Sequence, residues 1–397
     1  MDLTAPRPTE AARFAMDGHV PARAWRPESP DEVADAVRTA AEQGLALVPW
    51  GGGIALSRAN APARFDVALD LSALRRITIH DADDFTITAE CGITLDDLRD
   101  ALATCRQELP LEAAEPWGAT LGGVLAANAS GPRRRALGSP RDRLLGARFV
   151  TGDGVLARSG GRVVKNVAGH AVHRLLVGSR GALGVFVEAS LKLPPQPRAR
   201  LAWVWGMEAA ALSDVRRWSA WPRREPAVLS VLGRAVAGTN PVLASDAPFT
   251  VVAGFEDDPA WLAECDRFAH DSLGAARLKV RDASVSALWR QITDPEEMPG
   301  ARLTFTSAHQ TPDAIAFLTH DRAAERLLFH AACGRLHVWP ERDEAATLVA
   351  RCRAHGFTLL EARGVDLPAR TVSSAILALR GRLRDALDPK RVFALGD

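Results

Sequence analysis

The chain has 397 residues, 47% of them hydrophobic and 24% charged, enough to bury the cores of two or three domains at roughly 100–200 residues each. Its net charge of +1 gives no basis for nucleic-acid or membrane-surface binding, and no run of about 20 apolar residues is present to span a bilayer. Five scattered cysteines without a CxxC fit buried thiols in a reducing cytoplasm better than disulfides or an iron–sulfur cluster; no tyrosine is present to act as a catalytic phenol, and residues 1–18 lack the apolar core of a secretory signal.

Ser29-Pro30-Asp31-Glu32 predicts a helix start, with serine at the N-cap, proline at N1 and glutamate at N3. Val33, Ala36, Val37 and Ala40 repeat at helical spacing, and Gly44 ends the element. A short buried strand over 45–49 then runs into Trp50-Gly51-Gly52-Gly53, and strands are expected at 67–71, 75–80 and 85–90. Thr94 opens a second helix that reaches about Cys105. Thr120-Leu121-Gly122-Gly123 precedes a small-residue helix over 124–128, and Ser130-Gly131-Pro132 ends it, followed by Arg133-Arg134-Arg135. A hairpin is expected over 145–159, turning at Gly152-Asp153-Gly154. Lys165 follows in a glycine-flanked stretch, which passes through an amphipathic segment to Gly178, Gly181 and Gly184 and then enters a β-branched run at 185–188.

After Pro194-Pro195-Gln196-Pro197 glycine loops become rare. Strand-like runs at 201–205, 250–255, 302–306, 336–339 and 357–360 alternate with helical ones at 259–271, 343–355 and 373–387. This predicts an α+β domain with antiparallel pairing. The expected organisation is 1–198 as one domain in two parts (1–110 and 111–198), 199–385 as a second, and a return of 386–397 to the first.

Glycine admits φ > 0 and removes the Cβ that holds a ligand away from the backbone. A strand-end loop such as Gly51–Gly52–Gly53, or a helix opening such as Thr120–Gly123, can therefore offer N–H groups to a diphosphate. The G-x-G-x-x-A match at 152–157 is not a dinucleotide fingerprint, because a strand rather than a helix follows it. Two imidazoles, His170 and His173, lie at a spacing that could share a helix face, but no third metal ligand accompanies them and no metal is expected.

Taken together, five segments resemble the FAD-binding domain of the vanillyl-alcohol oxidase and p-cresol methylhydroxylase flavoproteins. They are Val48–Gly53, Ala119–Gly123, Ala127–Gly131, Lys165-Asn166-Val167-Ala168-Gly169 and Gly181–Val185. Within that family the phrases around Ser130-Gly131-Pro132-Arg133-Arg134 and Gly161–Gly169 resemble the FAD-binding subunits of bacterial glycolate oxidase complexes. The resemblance implies a two-part FAD domain followed by an α+β cap domain with an antiparallel sheet. It places the FAD diphosphate at Pro49, Trp50, Gly51, Gly52, Gly53, Ile54, Ala55, Thr120, Leu121, Gly122 and Gly123. It places the flavin side at Ala127, Ala129, Ser130 and Gly131, and the adenine pocket at Gly184, Val185 and Val187.

It further implies flavin-mediated oxidation of a small 2-hydroxy acid such as glycolate. A partner flavoprotein subunit and an iron–sulfur subunit would complete a cytoplasmic complex, with any membrane association through those partners. There are departures from the family. The triple-glycine loop carries no histidine or nearby cysteine, which implies non-covalent FAD. His170 stands where relatives have tyrosine, and the Glu-His-Gly segment of the substrate-oxidising subunit has no counterpart, so His170 is the one candidate base. Two other readings stay open: a self-sufficient FAD-dependent 2-hydroxy-acid dehydrogenase, and a non-catalytic assembly or electron-relay subunit.

Overall fold

The computed structural model describes residues 11–16, 18–54, 56, 62–113, 118–163, 169–212, 221, 225–293, 298, 301–307, 322–363, 365, 367 and 374–395. Two compact units emerge. The first comprises Met1–Ser130, Leu137–Gln196 and Val372–Asp397, the second Gly131–Ala136 and Pro197–Thr371. Two stretches cross the division expected from sequence: 131–136 goes with the second unit, and 372–385 with the first.

In the first unit, strands β1 (Arg23–Trp25), β2 (Leu47–Trp50) and β3 (Val67–Asp70) form a three-stranded parallel sheet in the order β1-β3-β2. Helix α1 (Pro30–Gln43) starts as expected, with the Ser29 hydroxyl accepting from the Glu32 N–H at 3.2 Å, and ends at Gly44 with φ 63°. Its Val33, Ala36, Val37 and Ala40 are fully buried against Leu47, Val67 and Leu69.

The second part of this unit is an antiparallel five-stranded sheet. Its strands are β4 (Ile77–Asp81), β5 (Thr86–Glu90), β6 (Leu144–Val150), β7 (Leu156–Gly160) and β8 (Val185–Lys192), in the order β4-β5-β8-β6-β7. The glycine match at 152–157 is indeed followed by strand β7. Helices α2 (Leu95–Ala103) and α3 (Leu121–Ala127) pack on one face, burying Leu95, Leu98, Leu121 and Leu125 against Ile87, Ala89, Phe149 and Leu191.

The chain returns to this unit near its end. Asp388, fully buried, accepts hydrogen bonds from the N–H groups of Val392 (2.8 Å) and Phe393 (3.1 Å). Burial pushes its carboxyl above the ordinary range, and those bonds with Arg384 and Arg391 pull it back. Leu47 donates to the Val392 carbonyl and accepts from Ala394, so residues 392–394 lie along the free edge of β2.

The second unit holds one eight-stranded sheet. Strands β9 (Ala199–Met207), β10 (Val228–Gly233), β11 (Phe249–Asp257), β12 (Leu278–Arg281), β13 (Arg302–Ser307), β14 (Leu327–His330), β15 (Arg335–Val338) and β16 (Phe357–Arg363) pair antiparallel throughout, in the order β12-β9-β11-β10-β14-β15-β13-β16. Helices α4 (Pro259–Leu273) and α6 (Ala345–Ala354) cover one face over Trp203, Trp205, Phe255 and Phe305, and α5 (Ala283–Thr293) covers part of the other over Val204, Leu232 and Val252. The run Arg133–Arg135 is bound within this unit. Arg133 and Arg200 both meet the Glu256 carboxylate at 2.8 Å, Arg133 also stacks over Trp289, and Arg135 pairs with Glu225. Strand β15 coincides with the run expected over 336–339, whereas β10 (VLSVLG) and β14 (LLFH) are short, nearly continuous apolar runs without the alternation that marks a strand.

Candidate functional site

The expected diphosphate segments of the first unit do come together. A Cβ on Gly51 would strike the Thr120 hydroxyl, and one on Gly52 the Gly118 carbonyl oxygen. The loop after β2 is therefore seated on the turn that opens α3. Gly53 has φ +79°, and a Cβ built on it would lie 3.1 Å from the Trp50 indole nitrogen. That indole is buried, edge-on to Phe14 at 5.3 Å and stacked on Phe65 at 6.3 Å. Trp50 thus anchors the loop with its side chain and can offer a ligand only backbone. Pro49 touches the other loop, 3.3 Å from a Cβ on Gly181.

The two glycine segments differ in what their N–H groups do. At the start of α3, Leu121 donates to Ile93 (2.9 Å), Gly122 to Cys91 (2.8 Å), Gly123 to the Thr120 hydroxyl (3.3 Å) and Val124 to the Thr120 carbonyl (3.0 Å). The N-terminal donors that an anion would use are spent on protein. A Cβ on Gly122 would lie 2.9 Å from the Cys91 Cβ, so this glycine lets the helix sit close to the strand end. At Gly51, Gly52 and Gly53, by contrast, the N–H groups make no hydrogen bond to any described residue. These three successive amides, ending on a glycine at positive φ, are the backbone donors left unspent in this loop.

Gly178 and Arg180 donate to the carbonyls of Leu125 (3.1 Å) and Ala126 (2.8 Å), closing the C-terminus of α3. Asn128, in the left-handed region at φ 49°, ends that helix. Where these segments meet, Asn128 Oδ1 and Ser179 Oγ are buried without a hydrogen-bond partner. An unmet buried polar atom costs about 1–3 kcal/mol, so both suit a ligand that can bond to them. Asn128 falls within the Ala127–Gly131 segment that the resemblance places on the flavin side, whereas Ser179 lies outside every segment it marks. Ala127, Ala129 and Ser130 are half-buried, and Gly131 is buried in the segment that goes with the second unit.

Val185 and Val187 are 1% and 0% exposed, with side chains in the core under α1. The Val187 carbonyl accepts from Cys91, so what remains for a ligand there is other backbone. Gly184 has φ +156° and is hemmed by the Val150 carbonyl and Leu176. Ile54 is half-buried beside the loop, and Ala55 and residues 165–168 lie outside the described residues. Burial, then Glu188 and Glu90, pushes the Cys91 thiol well above its usual range, which keeps it protonated and a poor attachment point.

His170 is exposed and precedes the helical turn Val172–Leu176 rather than sharing a helix face with His173. His173 is buried, with Nδ1 2.9 Å from the Ser159 hydroxyl. That hydroxyl spends its single proton on the His170 carbonyl (3.0 Å), so Nδ1 of His173 carries the proton. Burial lowers this imidazole's pKa and keeps it neutral.

The second unit carries a polar sheet face that the sequence did not reveal. Cross-strand register aligns Ser230 with His330, His330 with Arg335, and Thr304 with His337. His330, 2% exposed, bonds Ser230 through Nδ1 at 2.8 Å, and its Nε2 is buried without a partner. Burial, then Arg335 and Arg302, lowers its pKa to about 3, so it is a neutral imidazole near pH 7. His337 meets Thr304 at 3.1 Å and Arg302 at 3.3 Å. Burial, then Arg134 and Arg302, depresses the Arg335 guanidinium, with Cys333 and Glu361 opposing. Several cations beside a neutral imidazole can receive a carboxylate and accept a proton. The signal in sequence was the pair His330 and His337, brought to one face by the tight turn at Gly334 (φ 67°). No group of three or more metal-ligating residues is present among the described residues.

Within the first unit, a strand-end loop with three unspent amides is thus seated on a glycine-opened helix. Residues 21–160 match the family model described as "FAD binding domain", and FAD is the cofactor of that domain. Among relatives, the chain is 42% identical over 157 residues to glycolate oxidase subunit GlcE of Escherichia coli (strain K12), covering 39% of this chain and 45% of that protein. It is 34% identical over 199 residues to D-2-hydroxyglutarate dehydrogenase of Xanthomonas citri pv. viticola (48% and 42%) and 32% identical over 195 to glycolate oxidase subunit GlcD of Bacillus subtilis (48% and 41%). Each match spans less than half of the relative. In fold, the chain is similar to an alkyldihydroxyacetonephosphate synthase structure, with a TM-score of 0.65 at 16% identity over 95% of this chain and 76% of that one. Among the described residues no helix is long and apolar enough to cross a membrane.

Proposed function

We propose that this chain is the FAD-binding subunit of an oxidoreductase complex that acts on a small 2-hydroxy acid of the glycolate type. The observation that carries this reading is the 42% identity over 157 residues to a glycolate oxidase subunit. Bound FAD supplies the acceptor for the substrate's hydride. The amides of Gly51, Gly52 and Gly53 hold its diphosphate, and Asn128 and Ser179 meet the polar groups of its flavin side. FAD is held non-covalently, since the loop offers no histidine and Cys91 stays protonated. Partner flavoprotein and iron–sulfur subunits complete the complex and carry electrons onward. The polar face of the second unit favours a second reading, a chain with its own hydroxy-acid site in which Arg335 receives the carboxylate and His330 accepts the hydroxyl proton.

Purified FAD-loaded chain mixed anaerobically with glycolate or D-lactate separates the two. The first reading expects the flavin spectrum to stay oxidised until the partner flavoprotein subunit is added. Bleaching by substrate in the isolated chain overturns it in favour of the second. Loss of that bleaching in His330→Gln or in His170→Ala then names the base. Acid precipitation should leave all flavin in the supernatant, and a chain that takes up no FAD sinks both readings.

A further inference from the structure

The five-stranded sheet of the first unit has a second cavity-bearing face, away from the cradle. A cavity of about 280 Å³ lies across β4, β5, β8, β6 and β7, with Thr88 and Ser190 among its lining residues. Both are more than nine-tenths buried, and their hydroxyls bond each other at 2.8 Å. Two hydroxyls carry two protons and that bond uses one, so one donor is left over.

Arg148, Arg158 and Arg162 also line the cavity, with one acid, Glu188. Arg148 stands directly opposite Arg158 on the neighbouring strand and opposite Glu188 on the other side. Like charges placed face to face across a sheet are destabilising unless something neutralises them. Glu90, the next acid along that row, is committed to Arg76 at 2.7 Å. None of the three cavity guanidiniums forms an ion pair with a described residue. Three cations against one carboxylate leave two positive charges without a protein counter-charge.

We propose that this face is a binding site for a small dianion, a dicarboxylate or a phosphate monoester, distinct from the FAD cradle. The volume suits a molecule of roughly ten heavy atoms. Arg158 and Arg162 supply the charge and forked donors, Arg148 is relieved of its like-charged neighbour, and the left-over hydroxyl proton at Thr88–Ser190 donates to the ligand from below. This assignment does not rest on the hydroxy-acid reading, since it involves neither the cradle nor the second unit.

The test is calorimetric titration of the FAD-loaded full chain with inorganic phosphate and, separately, with succinate, at constant ionic strength. Saturable binding of one equivalent is expected for at least one of them, and the arm that saturates names the ligand class. Arg158→Gln with Arg162→Gln should weaken it at least tenfold while FAD content stays at the wild-type level. Glu188→Gln should tighten it several-fold by removing the one opposing charge. Absence of saturable binding in both arms overturns the proposal. Binding that survives the double substitution does so as well, and binding lost together with FAD would assign the anion to the cradle instead.

Discussion

The first unit presents a ligand with backbone, and the second presents side chains. In the cradle proposed for FAD the groups on offer are the amides of Gly51, Gly52 and Gly53, with Trp50, Leu121 and Val185 turned into the core. On the second unit's sheet they are His330, His337, Arg302 and Arg335, aligned by register. A backbone site is insensitive to pH and intolerant of an added Cβ. A side-chain site built from buried imidazole and guanidinium is the reverse, and the contrast can be tested from both ends.

The largest effect should come from Gly52→Val. Its Cβ would strike the Gly118 carbonyl and force the loop off its seat, so FAD affinity should fall at least ~100-fold, about 3 kcal/mol. Fluorescence titration checks this, and emission from the Trp203 and Trp205 core should show the second unit still folded. Wild-type affinity in this variant would end the idea of a backbone cradle.

Acidification should act on the other unit. The unfolded chain takes up a proton on His330 near pH 6.5, whereas the folded one does so only at about 3. Between these values the unfolded state holds more protons, so stability is lost as pH falls. The loss from this residue between about pH 8 and pH 5 is about 2 kcal/mol. Melting followed by tryptophan emission should show it, and His330→Gln should flatten the slope. An equally steep slope in the variant would remove His330 from the account.

Gly122→Ala sharpens the contrast within the cradle. The new methyl presses on Cys91 and should cost roughly 1–2 kcal/mol of stability, yet affinity of the folded fraction should change less than ~5-fold, since the amides there are already spent. A fall in affinity to match Gly52→Val would show that α3 does hold the anion. The smallest effect belongs to Ser179→Ala. Removing an unmet hydroxyl should leave the FAD-free chain as stable or slightly more so, while FAD affinity drops a few-fold. A clear loss of FAD-free stability would mean that the hydroxyl has a protein partner.

The backbone site was the more legible one because glycine announces its own conformational use. Gly51, Gly52, Gly53, Gly122 and Gly123 mark in sequence the loop and the helix opening that meet in the first unit, and Ser29, Thr94 and Thr120 each cap the helix expected. What glycine could not tell was the beneficiary. Gly122 is small for Cys91, not for a ligand, and that depends on which strand end lies beneath the helix. The polar face was illegible for a different reason. Ser230, His330 and Thr304 are far apart in sequence and meet only through pairing across β10, β14, β15 and β13. In a linear pattern a histidine beside Leu328 and Phe329 reads as a strand end.

The seam between residues 392–394 and the edge of β2 has a bearing on biosynthesis. Leu47 donates to Val392 and accepts from Ala394, and the cofactor loop begins four residues after Leu47. A ribosome adding roughly 5–20 residues per second needs roughly 20–70 s to travel from Leu47 to Phe393. Throughout that interval β2 has one open edge, and the loop that follows it lacks its final neighbour. The emerging chain therefore carries an unpaired β2 edge until residues 392–394 have been made and can lie along it.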